Sequence, residues 1–186
     1  MKCILILGPP AVGKRAVGEA LSKQTGIPLF HNHQSIELIL PYFGYGSPAF
    51  SRLNHLIRFG IFEEVAQSDL PGLIFTLVWD YDDPEDEAYV DEILAVFRKA
   101  GASVHLIELQ ADLEERKRRN RDPERMQAKP SKQDVEASEQ SMVYFEKACR
   151  MVSRPGEFPN KPILQIDNTQ RSPEEVVAMI VEHFQW

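Results

Sequence analysis

The chain has 186 residues, with 21 Lys and Arg against 28 Asp and Glu and a formal net charge of −7. That length suits a single domain, or one domain with an inserted module, and lets roughly 70% of the unfolded surface be buried without a disulfide or metal. With 43% apolar and 26% charged residues, a disordered chain is excluded. The acidic total argues against a general binder of nucleic acid or anionic membrane, which needs a basic footprint.

Cys3 and Cys149 match no metal spacing. They read as buried free thiols in a reducing, cytoplasmic compartment. The apolar run Cys3–Leu7 is too short for a signal-peptide core, and no stretch is long and apolar enough to span a bilayer.

In chain order, Cys3–Leu7 predicts a strand. Lys14–Thr25 predicts a helix with Val17, Ala20 and Leu21 on one face and Gly26 as its stop. Pro28–Phe30 is a short strand. Gln34–Leu40 and Ser51–Ser68 are helices, separated by the turn-rich stretch Pro41–Pro48. Gly72–Val78 is a strongly apolar strand, and Pro84–Ala100 a helix with proline at its start and Gly101 after its end. Ser103–Leu109 is a strand, and Ala111–Arg121 and Lys132–Val152 are helices. Pro162–Asp167 is the fifth strand and Ser172–Gln185 the last helix, opened by Ser172-Pro173-Glu174-Glu175 with a cap, a first-turn proline and first-turn carboxylates.

Apolar strands alternating with helices predict parallel βαβ units in a sheet covered on both faces. Ligands of such sheets bind beyond the carboxyl ends of the strands. The residues after Leu7, Phe30, Val78, Leu109 and Asp167 are thus expected to line one cleft.

The first strand end carries the sharpest motif. Gly8-Pro9-Pro10-Ala11-Val12-Gly13-Lys14 matches G-x-x-x-x-G-K between a strand and a helix. Gly8 permits a tight departure from the strand, and Gly13 lets the backbone approach a phosphate. The N–H groups and the helix N-terminus surround the anion, and Lys14 adds a mobile charge. Arg15, followed by Ala16, stands where a Ser or Thr normally ligates magnesium. A guanidinium cannot ligate a cation, so Arg15 turns outward or reaches a phosphate. Magnesium would then rely on phosphate oxygens, water and another carboxylate. Asp80, after the Gly72–Val78 strand, is the candidate, with a solvated loop carboxylate as the competing reading.

On Gly8–Lys14, the arginine-rich segment near residue 116 and Ile166-Asp167-Asn168-Thr169, the chain resembles the P-loop kinases of small molecules and nucleotides. Shikimate kinase, adenylate kinase, chloramphenicol phosphotransferase and tunicamycin-resistance proteins are examples. The resemblance implies a three-layer α/β/α fold with a five-stranded parallel sheet in the order 2-3-1-4-5. It also implies ATP and Mg²⁺ as cofactors, an acceptor module at about 31–70 and a lid at about 116–132. The Gly8–Ala16 loop and Thr169 would bind nucleotide.

The segment Arg116–Lys132 holds eight basic residues against Asp122 and Glu124, a local +6, while the rest of the chain sums to −13 (thirteen basic against twenty-six acidic). Such segregation points to an anion site. Forked guanidinium groups suit phosphoryl oxygens. The resemblance makes Arg116 base-side and Arg119, Arg121 and Arg125 phosphate-side, with Arg119 and Arg125 stabilising transferred charge. A solvated basic helix and an RNA-binding patch are the alternatives, but no aromatic stacking platform lies in the segment.

On the acceptor side, Phe30-His31-Asn32-His33 ends the second strand, where related kinases often place an acidic residue. Two residues apart on an extended segment, His31 and His33 would point the same way, and His33 is the first choice as base. Capping or packing is the competing role. His55, His105 and His183 read as structural. Tyr42, Phe43, Tyr45 and Phe50 could cover an apolar acceptor or pack the module's own core. Arg52 and Arg58 could hold an anionic group. The sequence thus reads as an ATP-dependent phosphotransferase acting on a small-molecule or nucleotide acceptor, monomeric or homodimeric. The rivals are a sulfotransferase-like enzyme needing no magnesium and a non-catalytic nucleotide-binding regulator.

Overall fold

The computed structural model describes residues 1–123, 131 and 134–186. Five strands, β1 (Lys2–Leu7), β2 (Leu29–His31), β3 (Gly72–Thr76), β4 (Ser103–Gln110) and β5 (Ile163–Asp167), form one sheet in the order β2-β3-β1-β4-β5. Every pairing is parallel. Among the described residues there are seven helices: α1 (Lys14–Thr25), α2 (His33–Ile39), α3 (Pro48–Gln67), α4 (Pro84–Lys99), α5 (Leu113–Asn120), α6 (Val135–Ala148) and α7 (Pro173–Phe184).

The three layers follow from the strand period. On β1, Cys3, Leu5 and Leu7 face one side and pack with Phe59 and Phe62 of α3 and Val90, Ile93 and Phe97 of α4. Ile4 and Ile6 face the other side and pack with Val17 and Leu21 of α1 and Val176, Val177 and Ile180 of α7. A central strand between two helical layers has no polar face to show. Burying each large apolar side chain contributes about 1.5–3 kcal/mol. Phe62 is fully buried and meets Phe75 edge-on at 4.9 Å, which ties α3 to β3.

The capping chemistry predicted for the last helix is present: Ser172 and Glu175 form a reciprocal capping box, and Pro173 occupies the first turn. Two elements end earlier than expected, β3 at Thr76 and α6 at Ala148, and one junction explains much of this. Cys149 turns extended, and Arg150 runs back against the segment after β3. The Tyr81 N–H donates to the Arg150 carbonyl at 2.8 Å, and the Arg150 N–H donates to Asp80 Oδ1 at 3.0 Å. The Arg150 guanidinium then bonds Glu157 and Asp82.

Both cysteines are free thiols. Burial pushes the Cys3 thiol up to about 12, against a small opposing pull from Arg98. Burial and then Asp80 push Cys149 up to about 11. Among the described residues no helix is long and apolar enough to cross a membrane.

Candidate active site

The loop between β1 and α1 carries three left-handed residues: Gly8 (φ 133°), Ala11 (φ 61°) and Gly13 (φ 108°). A Cβ on Gly8 would stand 2.3 Å from the Leu109 carbonyl oxygen, so only glycine lets the loop leave the sheet there. A Cβ on Gly13 would meet Asn168 Nδ2 at 3.1 Å. This path and the start of α1 form an anion-binding nest with the positive helix end behind it. Lys14 lies over the loop, its Nζ donating to the Gly8 and Pro9 carbonyls at 2.5 and 2.8 Å.

Two cavities flank the loop. The first, about 210 Å³, is lined by Ala11–Ala16, Glu19, Asn32, Thr76, Arg119 and Asp122. The second, about 550 Å³, is lined by Gly13, Ala16, Val17, Glu115, Arg118, Arg119 and the loop Asn168–Pro173. Gly13, Ala16 and Arg119 belong to both. Arg119 fixes that junction: Nη1 donates to the Val12 carbonyl at 2.8 Å, Nη2 to the Asn168 carbonyl at 2.7 Å, and Nε to Glu115 at 2.7 Å. The buried Asn168 side chain donates to the same Val12 carbonyl at 2.9 Å. Glu115 is pulled down to about 2, by Arg118 first and then, against a burial penalty, by Arg119.

Several sequence expectations need correction. Arg116 and Arg119 point to different sides of α5. Arg116 is 2% exposed, with Nε on the Ala111 carbonyl and Nη2 on Glu146. Three residues are 300° of helix turn, and the remaining 60° is enough to aim Arg116 at α6. It lines a separate cavity of about 350 Å³ beside Pro9, Asp167 and Thr169. Arg118 and Arg119 take the position beside the β5–α7 loop. Arg121 pairs with Glu139 on α6 at 2.8 Å. Arg125 lies outside the described residues. Thr169 lines both the second cavity and the one beside Arg116, with its hydroxyl on Asp167 at 2.6 Å. Pro10 sits in the nest loop.

The histidines do not share an extended segment. The chain turns helical at Asn32 (φ −53°, ψ −28°), so His31 ends β2 and His33 begins α2. Asn32 is the residue that reaches the first cavity. His33 Nδ1 lies 3.0 Å from Glu37 Oε1, one turn along α2, and Ser131 Oγ donates to the same carboxylate at 2.5 Å. Arg58 is buried beneath the turn, donating to Ser35 Oγ at 2.9 Å, Tyr89 Oη at 3.2 Å and the Asn32 carbonyl at 3.3 Å. It therefore sets the position of Asn32 and is not displayed toward the cavity. Arg52 is exposed on α3. The aromatic cluster divides. Phe50 packs with Ile36 and Ile39 inside the module, while Tyr42, Phe43 and Tyr45 are 77%, 41% and 74% exposed.

A magnesium ion ligated by protein side chains does not fit. Arg15 Nε is turned along α1 to Glu19 at 2.7 Å, engaging the nearest carboxylate. Asn32 Oδ1 accepts from Thr76 Oγ1 at 3.3 Å, and that hydroxyl accepts from the Asn32 N–H at 3.1 Å. Asp80 does not line the cavity; its carboxylate accepts from the Asp82 and Arg150 N–H groups. Burial alone would raise the Asp80 carboxyl, but these bonds, Cys149 and the Arg150 charge hold it below the usual range. Among the described residues no group of three His, Cys, Asp or Glu could hold a metal.

Asn32, Thr76, Glu19 and Asn168 were missed as site residues. Thr76 had a signal, being the one hydroxyl in an otherwise apolar strand.

No family model and no curated protein matches the sequence. Solved structures do match along its length. The shikimate kinase of Acinetobacter baumannii in complex with shikimate is 14% identical, with TM-score 0.60, covering 98% of this chain and 92% of that one. The tunicamycin resistance protein of Deinococcus radiodurans is 18% identical, with TM-score 0.53, covering 100% and 96%. A gluconokinase from Sinorhizobium meliloti is 14% identical, with TM-score 0.55, covering 99% and 95%. The chain thus has the three-layer α/β/α fold of the P-loop small-molecule kinases, with their strand order.

Proposed function

We propose that the protein is a phosphotransferase that binds a nucleoside triphosphate across the P-loop and transfers phosphate to a small-molecule acceptor. The carrying observation is the pair of cavities that meet at Gly13 and Arg119. One has the size and loop framing for a nucleoside. The other has the nest, Lys14 and a polar rim of Asn32 and Thr76 for phosphates and an acceptor.

In this reading the base and ribose lie along Asn168–Pro173 and Arg118. The Gly8–Gly13 backbone and the α1 N-terminus hold the β-phosphate, and Lys14 leaves its carbonyl partners to follow the outer phosphate. Phosphoryl transfer passes through a loose transition state, so most of the catalysis is placement and charge stabilisation. Arg119 is placed to exchange its Val12 contact for a phosphate oxygen. Asn32 and Thr76 orient the acceptor hydroxyl. As the acceptor oxygen bonds to phosphorus and the bond to the nucleotide's bridging oxygen breaks, the hydroxyl proton passes from the acceptor oxygen to a base, a role assigned to His33, which Glu37 holds at the start of α2. The neighbours named as shikimate kinase and gluconokinase support a small polar acceptor.

The donor set around Arg15 favours one second reading, a sulfotransferase-like enzyme that shares the phosphate cradle without a metal. Thermal unfolding with ATP and with a nucleotide-sulfate donor, followed by an acceptor screen for ADP release, tests both. Stabilisation by ATP with ADP release on an added small hydroxyl compound is the expected result. Stabilisation by the nucleotide sulfate alone would replace the kinase reading, and no stabilisation by either would remove both.

A further inference from the structure

We infer that this P-loop binds its nucleotide as the metal-free anion, its charge being met by Lys14, Arg15, Arg119 and the α1 N-terminus instead of by a protein-ligated magnesium ion. The inference rests on the nucleotide-binding reading above and specifies the ligand's ionic form.

Magnesium needs hard oxygen ligands in near-octahedral geometry and is usually held by a hydroxyl or carboxylate as well as phosphate oxygens. The positions nearest the P-loop that could supply such an oxygen are otherwise engaged. After Lys14 comes Arg15, whose cationic group lies within the lining of the phosphate cavity. Glu19, one turn on, accepts from Arg15 at 2.7 Å and so sits in an ion pair. At the end of β2 the cavity meets an amide. Asn32 Oδ1 accepts from Thr76 Oγ1, so the amide oxygen is already in a hydrogen bond. Thr76 Oγ1 is held within 3.3 Å by both the N–H and the side chain of Asn32. Asp80, the acid of the next strand end, is held by the Asp82 and Arg150 amides. Asp122, exposed just after α5, also lines the cavity. One carboxylate fills one of magnesium's six positions and leaves the rest to phosphate oxygens and water.

Charge points the same way. Free ADP carries about three negative charges and its magnesium complex about one. The lining sets Lys14, Arg15 and Arg119 against Glu19 and Asp122 and adds the α1 N-terminus; this net positive site gains more from the free anion, because repulsion between the ion and the cationic groups disappears.

Calorimetric titration with ADP in excess EDTA and in excess MgCl₂ tests this directly. We expect magnesium to weaken the apparent Kd by more than about threefold, because it depletes the free anion. An unchanged or tighter Kd would overturn the inference while leaving the nucleotide reading intact. No ADP binding in either buffer would overturn both. Arg15→Ser supplies the missing hydroxyl at a partly exposed position in the first turn of α1, outside the buried core. In that variant magnesium should tighten ADP by more than about threefold. An unchanged magnesium response in Arg15→Ser would contradict the assignment of Arg15 as the group that excludes the ion.

Discussion

The two flanks of the P-loop are built differently. On the β5 side, Arg119 and Asn168 lock Val12 to the β5–α7 loop through bonds of 2.7–2.9 Å, and the cavity is framed largely by backbone and short polar side chains. On the β2 side, α2 and α3 form a small module with a three-residue core of Ile36, Ile39 and Phe50, and its Tyr42 and Tyr45 stand in solvent. A site that reads one invariant ligand can be fixed by the fold. A site that reads a particular acceptor is left to side chains on a lightly packed module. Under the proposed reading, the rigid flank takes the nucleotide and the lightly packed module takes the acceptor.

Predictions that break or sharpen this contrast run from large to small. Gly8→Ala drives a Cβ into the Leu109 carbonyl at a φ that alanine rarely adopts. Urea unfolding should show a loss of at least about 3 kcal/mol. A loss below about 1 kcal/mol would mean that the loop path is not fixed by the sheet. Lys14→Ala should abolish ligand stabilisation, which for the wild type at 100 times the Kd is about 2.7 kcal/mol, while leaving the apo protein's midpoint nearly unchanged. Retained stabilisation would place the nucleotide elsewhere.

The pair Arg119 and Arg116 separates binding from folding. Arg119→Ala should weaken ADP at least about tenfold, about 1.4 kcal/mol, with a smaller change in stability. Arg116→Ala should cost about 1–2 kcal/mol of stability through lost burial and hydrogen bonds, with ADP affinity unchanged within about twofold. The reverse pattern would support the base-side role that the resemblance implies for Arg116.

The smallest effect concerns pH. Glu115 is held down to about 2 by Arg118 and then Arg119. A depressed carboxyl contributes stability above its unfolded value, and that contribution is lost as pH falls from about 4.5 toward about 2. Because Arg118 is highly exposed, less than about 1 kcal/mol is at stake. Over that window the wild type should lose more stability than Glu115→Gln, and parallel pH profiles would contradict the Glu115 assignment.

Much of this was legible in the sequence. Alternating apolar runs gave the five strands, because buried parallel strands are apolar on both faces. G-x-x-x-x-G-K gave the nest, because its glycines answer backbone demands. What sequence could not show was direction. Arg116 and Arg119 lie three apart in one basic run, and only the folded chain shows the one aimed at Glu146 and the other at Val12. His31 and His33 assumed an extended chain, and a single helical residue, Asn32, reversed which side chain meets the cavity. Asp80 matched by position after an apolar strand, but the Arg150 backbone claims its carboxylate. Arg58 looked like a displayed cation and proved to be the buried prop beneath Asn32.

The most direct test of the central claim is a crystal structure of the protein with ADP bound. The account predicts the β-phosphate in the Gly8–Gly13 nest beside Lys14 and the adenine along Asn168–Pro173 near Arg118 and Arg119. Adenine in the cavity beside Arg116, or phosphates away from the nest, would contradict it.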